Sequence, residues 1–285
     1  MRIVAVSCLM GLAALPAAAA QVEPWSDLVV FGDSLSDPGN FGPGLVATDG
    51  EVWAEQLGAG LGSGTNFAYG GATAVSNGGS PDFAEQRALF VAADPELGPD
   101  PVAVVWFGGN DLLNATGPEA IGDAVDAVVA GVLDLAGYGL DRIVIPGLPD
   151  LGLIPAVRGT PLEQAATAAS DAFNAAIQAF VALEDSFSLD LAYVDIDGLF
   201  DDVLGDPAAY GFTDVTGTCQ QGAVPCDGYL FWDGIHPTEA AHSLIAGAIL
   251  DAAAPAPIPL PASALTLLGA LGALLGLGRR RARAG

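Results

Sequence analysis

Short apolar runs alternate with longer stretches of helical periodicity over residues 27–253, and this alternation constrains the fold more than any other property of the chain. Leu28-Val29-Val30-Phe31, Val102-Ala103-Val104-Val105-Trp106-Phe107 after Pro101, Arg142-Ile143-Val144-Ile145 and Leu191-Ala192-Tyr193-Val194-Asp195 are mostly apolar on successive residues. That is the pattern of strands covered on both faces, as in a parallel sheet. Thr65-Asn66-Phe67-Ala68 reads as a further, shorter strand before Gly70-Gly71. Helices are predicted over 51–60, 118–136, 162–183 and 238–253, so strands and crossover helices follow one another in an α/β domain. Ligands of open parallel sheets gather at the carboxyl ends of the strands, where Ser34, Gly71 and Asn110 fall.

The two ends of the 285-residue chain read differently. Residues 1–20 carry Arg2, an apolar stretch and Ala18-Ala19-Ala20, the pattern of a secretory signal cleaved after Ala20; Cys8 lies inside it. Residues 21–254 form the expected domain. Residues 255–285 begin with a Pro-rich linker and continue as a stretch of 21 uncharged residues from Ile258, ending before Arg279, Arg280, Arg281 and Arg283. The uncharged stretch is just long enough to span a bilayer, and the arginines would stay cytoplasmic. This tripartite tail resembles sorting signals of the PEP-CTERM type, in a form with Pro-Leu-Pro-Ala as its core. The resemblance implies a membrane-embedded sorting transpeptidase as a partner and a position at the cell surface or beyond.

Between the tails stand 3 Arg and no Lys against 34 acidic residues, a formal −31. That balance argues against nucleic acid and anionic membrane surfaces as partners of the mature domain. Two cysteines survive removal of the leader, Cys219 and Cys226, and in an exported protein a disulfide between them is expected. With these thiols and two histidines no zinc spacing exists, and no metal or organic cofactor is expected. Asp195-Ile196-Asp197-Gly198 with Asp201-Asp202 lacks the spacing and terminal Glu of a calcium loop, and reads as a strand end followed by an acidic loop.

Ser34 follows the first apolar run in Phe31-Gly32-Asp33-Ser34-Leu35-Ser36, where Gly32 permits a sharp turn and the following residues can begin a helix. A serine hydroxyl needs a base, and the base needs an orienting acid. Asp233-Gly234-Ile235-His236, just ahead of the last helix, supplies both: His236 to take the Ser34 proton and Asp233 to fix the imidazole. The other histidine, His242, has Glu239 at the same spacing but lies inside the helix among Ala and Leu, and reads as structural. Oxyanion donors are expected from the Ser34 N–H, the Gly71 N–H and the Asn110 amide.

These blocks, 31–40, 66–72, Gly108-Gly109-Asn110-Asp111 and 233–236, resemble in order those of the GDSL, or SGNH, serine esterases and lipases. The resemblance spans nearly all of 27–253. It implies a three-layer α/β/α, flavodoxin-like SGNH hydrolase fold with a parallel sheet of about five strands. It also implies Ser34, Asp233 and His236 as the triad, with Gly71, counted from Asn66, and Asn110 in the oxyanion hole. Residues 146–152 and Tyr210-Gly211-Phe212 resemble the lipase-like branch shared by plant enzymes and bacterial lecithinase or haemolysin-type proteins. The expected function is hydrolysis of carboxylic esters of lipids or acylated small molecules through an acyl-enzyme on Ser34. The alternatives are a carbohydrate O-acetylesterase acting on extracellular polysaccharide, and a non-catalytic surface binding protein on the same fold.

Overall fold

Four strands lie parallel in chain order, β1 (Asp27–Gly32), β2 (Pro101–Trp106), β3 (Arg142–Pro146) and β4 (Asp190–Val194), in a computed structural model that describes residues 25–42, 46–220 and 225–254. Successive side chains of a strand face opposite ways, and both sets are apolar. Val29, Phe31, Ala103, Val105 and Ile145 pack under α2 (Phe83–Ala93), α4 (Glu119–Ala136) and α5 (Glu163–Val181). Val30, Val102, Val104, Trp106 and Val194 pack under α1 (Trp53–Gln56), α7 (Ile196–Gly205) and α8 (Glu239–Ala253). Each large apolar side chain so buried stabilises the fold by about 1.5–3 kcal/mol relative to exposure, which is why a sheet of this composition requires helices on both faces. Two short helices, α3 (Gly109–Leu113) and α6 (Glu184–Phe187), and a 3-10 turn at Pro207–Tyr210 complete the helical set among the described residues. A small separate sheet pairs β5 (Asp214–Thr218) with β6 (Tyr229–Phe231).

The strand expected at 65–68 is an extended segment beside β1, not a full strand. It is joined to β1 by Val30 N–H to Thr65 O (2.9 Å), Phe67 N–H to Val30 O (2.8 Å) and Tyr69 N–H to Gly32 O (3.1 Å), with one parallel bridge at Asn66. Regular pairing stops because Gly32 N–H, which would continue the ladder, donates to Gln86 Oε1 instead (3.0 Å); the Asn66 side chain fixes the local backbone, its Oδ1 accepting from Ala68 N and its Nδ2 donating to Ser36 O and Ala59 O. The chain thus leaves β1 for one edge and returns on the other side as β2, which opens a crevice between the ends of β1 and β2.

The three long helices begin and end within one or two residues of expectation. Other segments differ, and α2, β5 and β6 have no counterpart among the expected elements. The helix expected over 51–60 is only one turn, because Gly58 and Gly62 take positive φ just beyond it. The segment after Ser34 forms a turn, not a helix, as Ser36 N–H closes on Asp33 O and Pro38 and Gly39 follow. The acidic stretch 195–202, expected as a loop, is the first part of α7, with Asp195 capping it by accepting Gly198 N–H. The expected leader at 1–20 and tail at 255–285 lie outside the described residues, and among those described no helix is long and apolar enough to cross a membrane.

Helix α2 carries an Asp82/Glu85 capping box and crosses α4 where α4 has Gly131, at which a Cβ would run into the Phe83 ring. Overpacking of this kind typically costs about 1–3 kcal/mol. Gly131→Val is therefore expected to lower the urea midpoint with the slope unchanged; an unaltered midpoint would show that the two helices can part without cost.

Candidate active site

The last residue of β1 fixes the start of the site. A Cβ at Gly32 would lie 2.8 Å from Ser36 Oγ and 3.0 Å from Trp106 O, so only glycine allows the chain to turn this tightly against β2. The peptide groups of Gly32 are gripped by the buried Gln86 of α2: Gly32 N–H donates to Oε1 (3.0 Å), and Nε2 donates to Gly32 O (2.8 Å). The tight turn after it is closed by Leu35 N–H donating to Asp33 Oδ1 (3.0 Å), while Trp53 Nε1 donates to Ser36 Oγ (3.1 Å). Ser34 stands half-buried at its tip, and its N–H has no protein partner among the described residues.

Asp37, 2 % exposed, organises the loop beyond. Its carboxylate accepts the N–H groups of Gly39, Asn40 and Phe41, and also that of Gly70 (2.7 Å). This commitment separates the two adjacent glycines: Gly70 N–H is used, whereas Gly71 N–H has no protein partner among the described residues. Gly71 sits at φ +76° in a turn closed by Ala72 N–H to Tyr69 O, a conformation that suits glycine.

After β2 the chain passes through Gly108 (φ 112°), where a Cβ would strike the Phe173 ring, and enters α3. Asn110 Nδ2 donates to Ala72 O (2.9 Å) and, more weakly, to Asp33 Oδ2 (3.2 Å). Asp111 accepts the N–H groups of Ala74 and Val75, so neighbouring residues of one block tie the glycine loop to the end of β2. Burial pushes the Asp33 carboxyl up to about 6, against the lowering effect of the Leu35 hydrogen bond and the nearby His236. Burial likewise raises Asp111, partly offset by its two backbone donors.

The third part comes from the loop between β6 and α8. Phe231 bridges to Pro237 and Trp232 N–H donates to His236 O (2.8 Å), so residues 232–236 form a closed loop. Cys219 and Cys226 are joined by a disulfide, and Cys219 N–H and Gln220 N–H donate to Phe231 O and Trp232 O at the base of that loop. Asp233 Oδ1 accepts from Ile235 N (2.8 Å) and His236 N (2.7 Å), and its Oδ2 lies 2.8 Å from His236 Nδ1. Burial alone would raise the Asp233 carboxyl; the hydrogen bonds from His236 and Ile235 outweigh it and hold the carboxyl below its ordinary range. His236 Nε2 lies 2.8 Å from Ser34 Oγ, across 202 residues of sequence. Ser34, Asp233 and His236 are thus one connected line, and Asn110 and the Gly71 turn are joined to each other and to Asp33 beside it.

A cleft opens from Ser34 and Asn110. Beyond those two and Asp33 its lining is apolar, including Trp106, Leu148, Ile154, Phe200, Phe231 and Ile245. Gln86, which holds the end of β1, and Ile196 and Phe200 of α7, which wall the cleft, were outside the sequence-based site. The Asp82/Glu85 capping signature and the spacing of Ile196, Phe200 and Val203 along one helix face are the signals that could have found them.

The GDSL-like Lipase/Acylhydrolase family profile matches residues 28–249. The phosphatidylcholine-sterol acyltransferase of Aeromonas hydrophila is 26% identical over 315 residues, covering 84% of this chain and 93% of that protein. Esterase EstA of Pseudomonas aeruginosa is 30% identical over 324 residues, covering 86% of this chain; this chain spans about half (49%) of EstA's length. Among solved structures, a catalytic mutant of Axe2, an acetylxylan esterase from Geobacillus stearothermophilus, aligns at a TM-score of 0.49 and 17% identity, covering 82% of this chain and 96% of that one.

His242 contrasts with His236. It is fully buried in α8 and neither ring nitrogen has a hydrogen-bond partner among the described residues. Burial, with a smaller effect of His236, pushes it down to about 3 from 6.5. Between those values the unfolded chain binds a proton there and the folded chain does not, so the group costs stability as pH falls from 6.5 toward 3 and costs none above 6.5. His242→Leu should therefore be more stable than the parent at pH 4 by a larger margin than at pH 7 in urea titrations. A margin independent of pH would show that His242 titrates alike in both states.

Proposed function

The chain belongs to the GDSL-like lipase/acylhydrolase family and is a carboxylic ester hydrolase, and from that we propose that Ser34 is its nucleophile, His236 its general base and Asp233 the group that orients His236. One observation carries the assignment: a single imidazole reaches Ser34 Oγ through Nε2 and Asp233 Oδ2 through Nδ1, both at 2.8 Å. Asp233 leaves Nδ1 as the protonated nitrogen and Nε2 as the acceptor, then stabilises the imidazolium. Ser34 Oγ attacks the ester carbonyl as its proton passes to Nε2. The resulting oxyanion is met by the N–H groups of Ser34 and Gly71, which have no competing protein acceptor among the described residues, and by Asn110. The long Asn110–Asp33 contact is the one to be exchanged for substrate, while the shorter bond to Ala72 O keeps the amide in place. Collapse breaks the ester bond and the alcohol leaves with the proton from Nε2. A water molecule, deprotonated by the same nitrogen, then attacks the acyl-enzyme, releasing the carboxylic acid and returning Ser34.

The preferred substrate in this reading is an ester with an apolar acyl group, because the cleft beside Ser34 presents hydrocarbon. The relative named for phosphatidylcholine-sterol acyl transfer supports a lipid acyl donor and the lecithinase-like branch. We also place the protein outside the cytoplasm, at the cell surface, with a membrane-embedded sorting transpeptidase acting on its C-terminal segment. The leader-like and tail sequences and the disulfide at Cys219–Cys226 support that location.

Full-length protein should hydrolyse nitrophenyl acyl esters. Ser34→Ala should lower kcat by about 10⁴-fold or more, Asp233→Asn by about 10⁴-fold and Asn110→Ala by about 10²–10³-fold. Equal rates for Ser34→Ala and the parent would end the assignment, and absence of hydrolysis by the parent across acyl lengths would favour a binding protein on this fold.

A further inference from the structure

The cleft at Ser34 is not the only cavity in this part of the molecule. Its outer end holds Ser34, Asn110 and the exposed Ile235, and its inner end runs into the core between the sheet and α8, where Trp106, Ile196 and Ile245 are almost wholly buried. No side chain at the inner end offers a hydrogen bond to a guest, since Trp106 Nε1 already donates to Gly147 O. Beside it lies a small second pocket, lined by Leu153, Leu204, Asp150, Asp197 and Asp201. Pro149, Ile154, Phe200 and Phe231 line both spaces. Phe200, from α7, and Phe231, from the end of β6, stand with their ring centres 6.3 Å apart at an angle of 52°, each less than a tenth exposed. Both rings thus face the two spaces at once.

We infer that the cleft is a blind channel for a straight acyl chain, and that Phe200 with Phe231 ends it and sets the longest chain that fits; the inference rests on the reading of Ser34 as nucleophile. A polar guest such as a sugar ring would lose its hydrogen bonds to water along this lining and regain none. An acyl chain gains about fourfold in affinity for each methylene taken out of water, until its end meets the two rings. Past them, further methylenes must stay in solvent or push the rings off their rotamers.

The test is the acyl-length profile of the full-length protein on nitrophenyl esters from acetyl to palmitoyl, read as kcat/KM relative to the acetyl ester. The parent should rise by up to about fourfold per methylene and then stop rising. Phe200→Ala joins the two cavities and should move the break to longer chains. Ile245→Trp fills the inner end and should move it to shorter ones. Phe200→Leu serves if the alanine variant fails to fold, as judged by its melting curve. Profiles of unchanged shape in these variants, or a parent that prefers acetyl, would overturn the channel. Binding of a fluorescent polyene fatty acid to Ser34→Ala separates this inference from the one it rests on. Fatty acid bound with no hydrolysis by the parent means that the Ser34 reading fails and the channel stands. Hydrolysis with neither length dependence nor fatty acid binding means the reverse.

Discussion

One buried amide holds the point on which the site depends. Gln86 accepts the Gly32 N–H and donates to the Gly32 carbonyl, so the last peptide groups of β1 are fixed from the helical layer and not only by the sheet. That grip leaves no freedom in where the next two residues go. Gly32 is packed so closely against Ser36 and Trp106 that no side chain fits, and the turn through Asp33 places Ser34 at its tip. A second buried amide does the same on the far side of the crevice, where Asn174 of α5 accepts Leu148 N–H and donates to Leu148 O at the wall of the cleft. Each clamp pairs both its oxygen and its nitrogen with the backbone, and a buried amide so engaged adds rigidity where an unpaired one would cost stability.

The strands are readable because a doubly covered parallel sheet writes itself as continuous apolar runs, and the residues of the proposed site because glycine, serine and asparagine fall at the ends of those runs and an Asp-x-x-His block precedes the last helix. The segments that escape such a reading do so for physical causes. Residues 195–202 carry four aspartates, which suggest a loop, but Ile196, Phe200 and Val203 lie on one helix face, and their burial overrides the weak helix propensity of aspartate. Helix α2 has almost no separation of apolar and polar faces, for Leu89 and Val91 are exposed while Gln86 is buried. Periodicity therefore cannot show it, though its capping box can. The segment at 65–68 has the apolar content and the place of a strand but not its full pairing, because the Gly32 N–H that would extend the ladder is held by Gln86.

Two histidines with an acid three residues earlier show how little spacing alone decides. Asp233 and His236 share a loop whose backbone N–H groups converge on one carboxylate, so the carboxylate is held charged and the imidazole is aimed at Ser34. Glu239 and His242 share a helix, where the acid sits in the first turn and the ring turns inward to a dry core. The difference lies in the backbone conformation between the two residues, which depends on whether the helix has begun.

The placement of Asp33 bears on the amide of Asn110. Its carboxyl, raised by burial, borders the same cleft as Ser34 and accepts from Asn110 Nδ2 at 3.2 Å. Together with Ala72 O it engages both hydrogens of that amide. Asn110 therefore stands aimed but occupied, and an acceptor entering the cleft competes with a carboxylate for it.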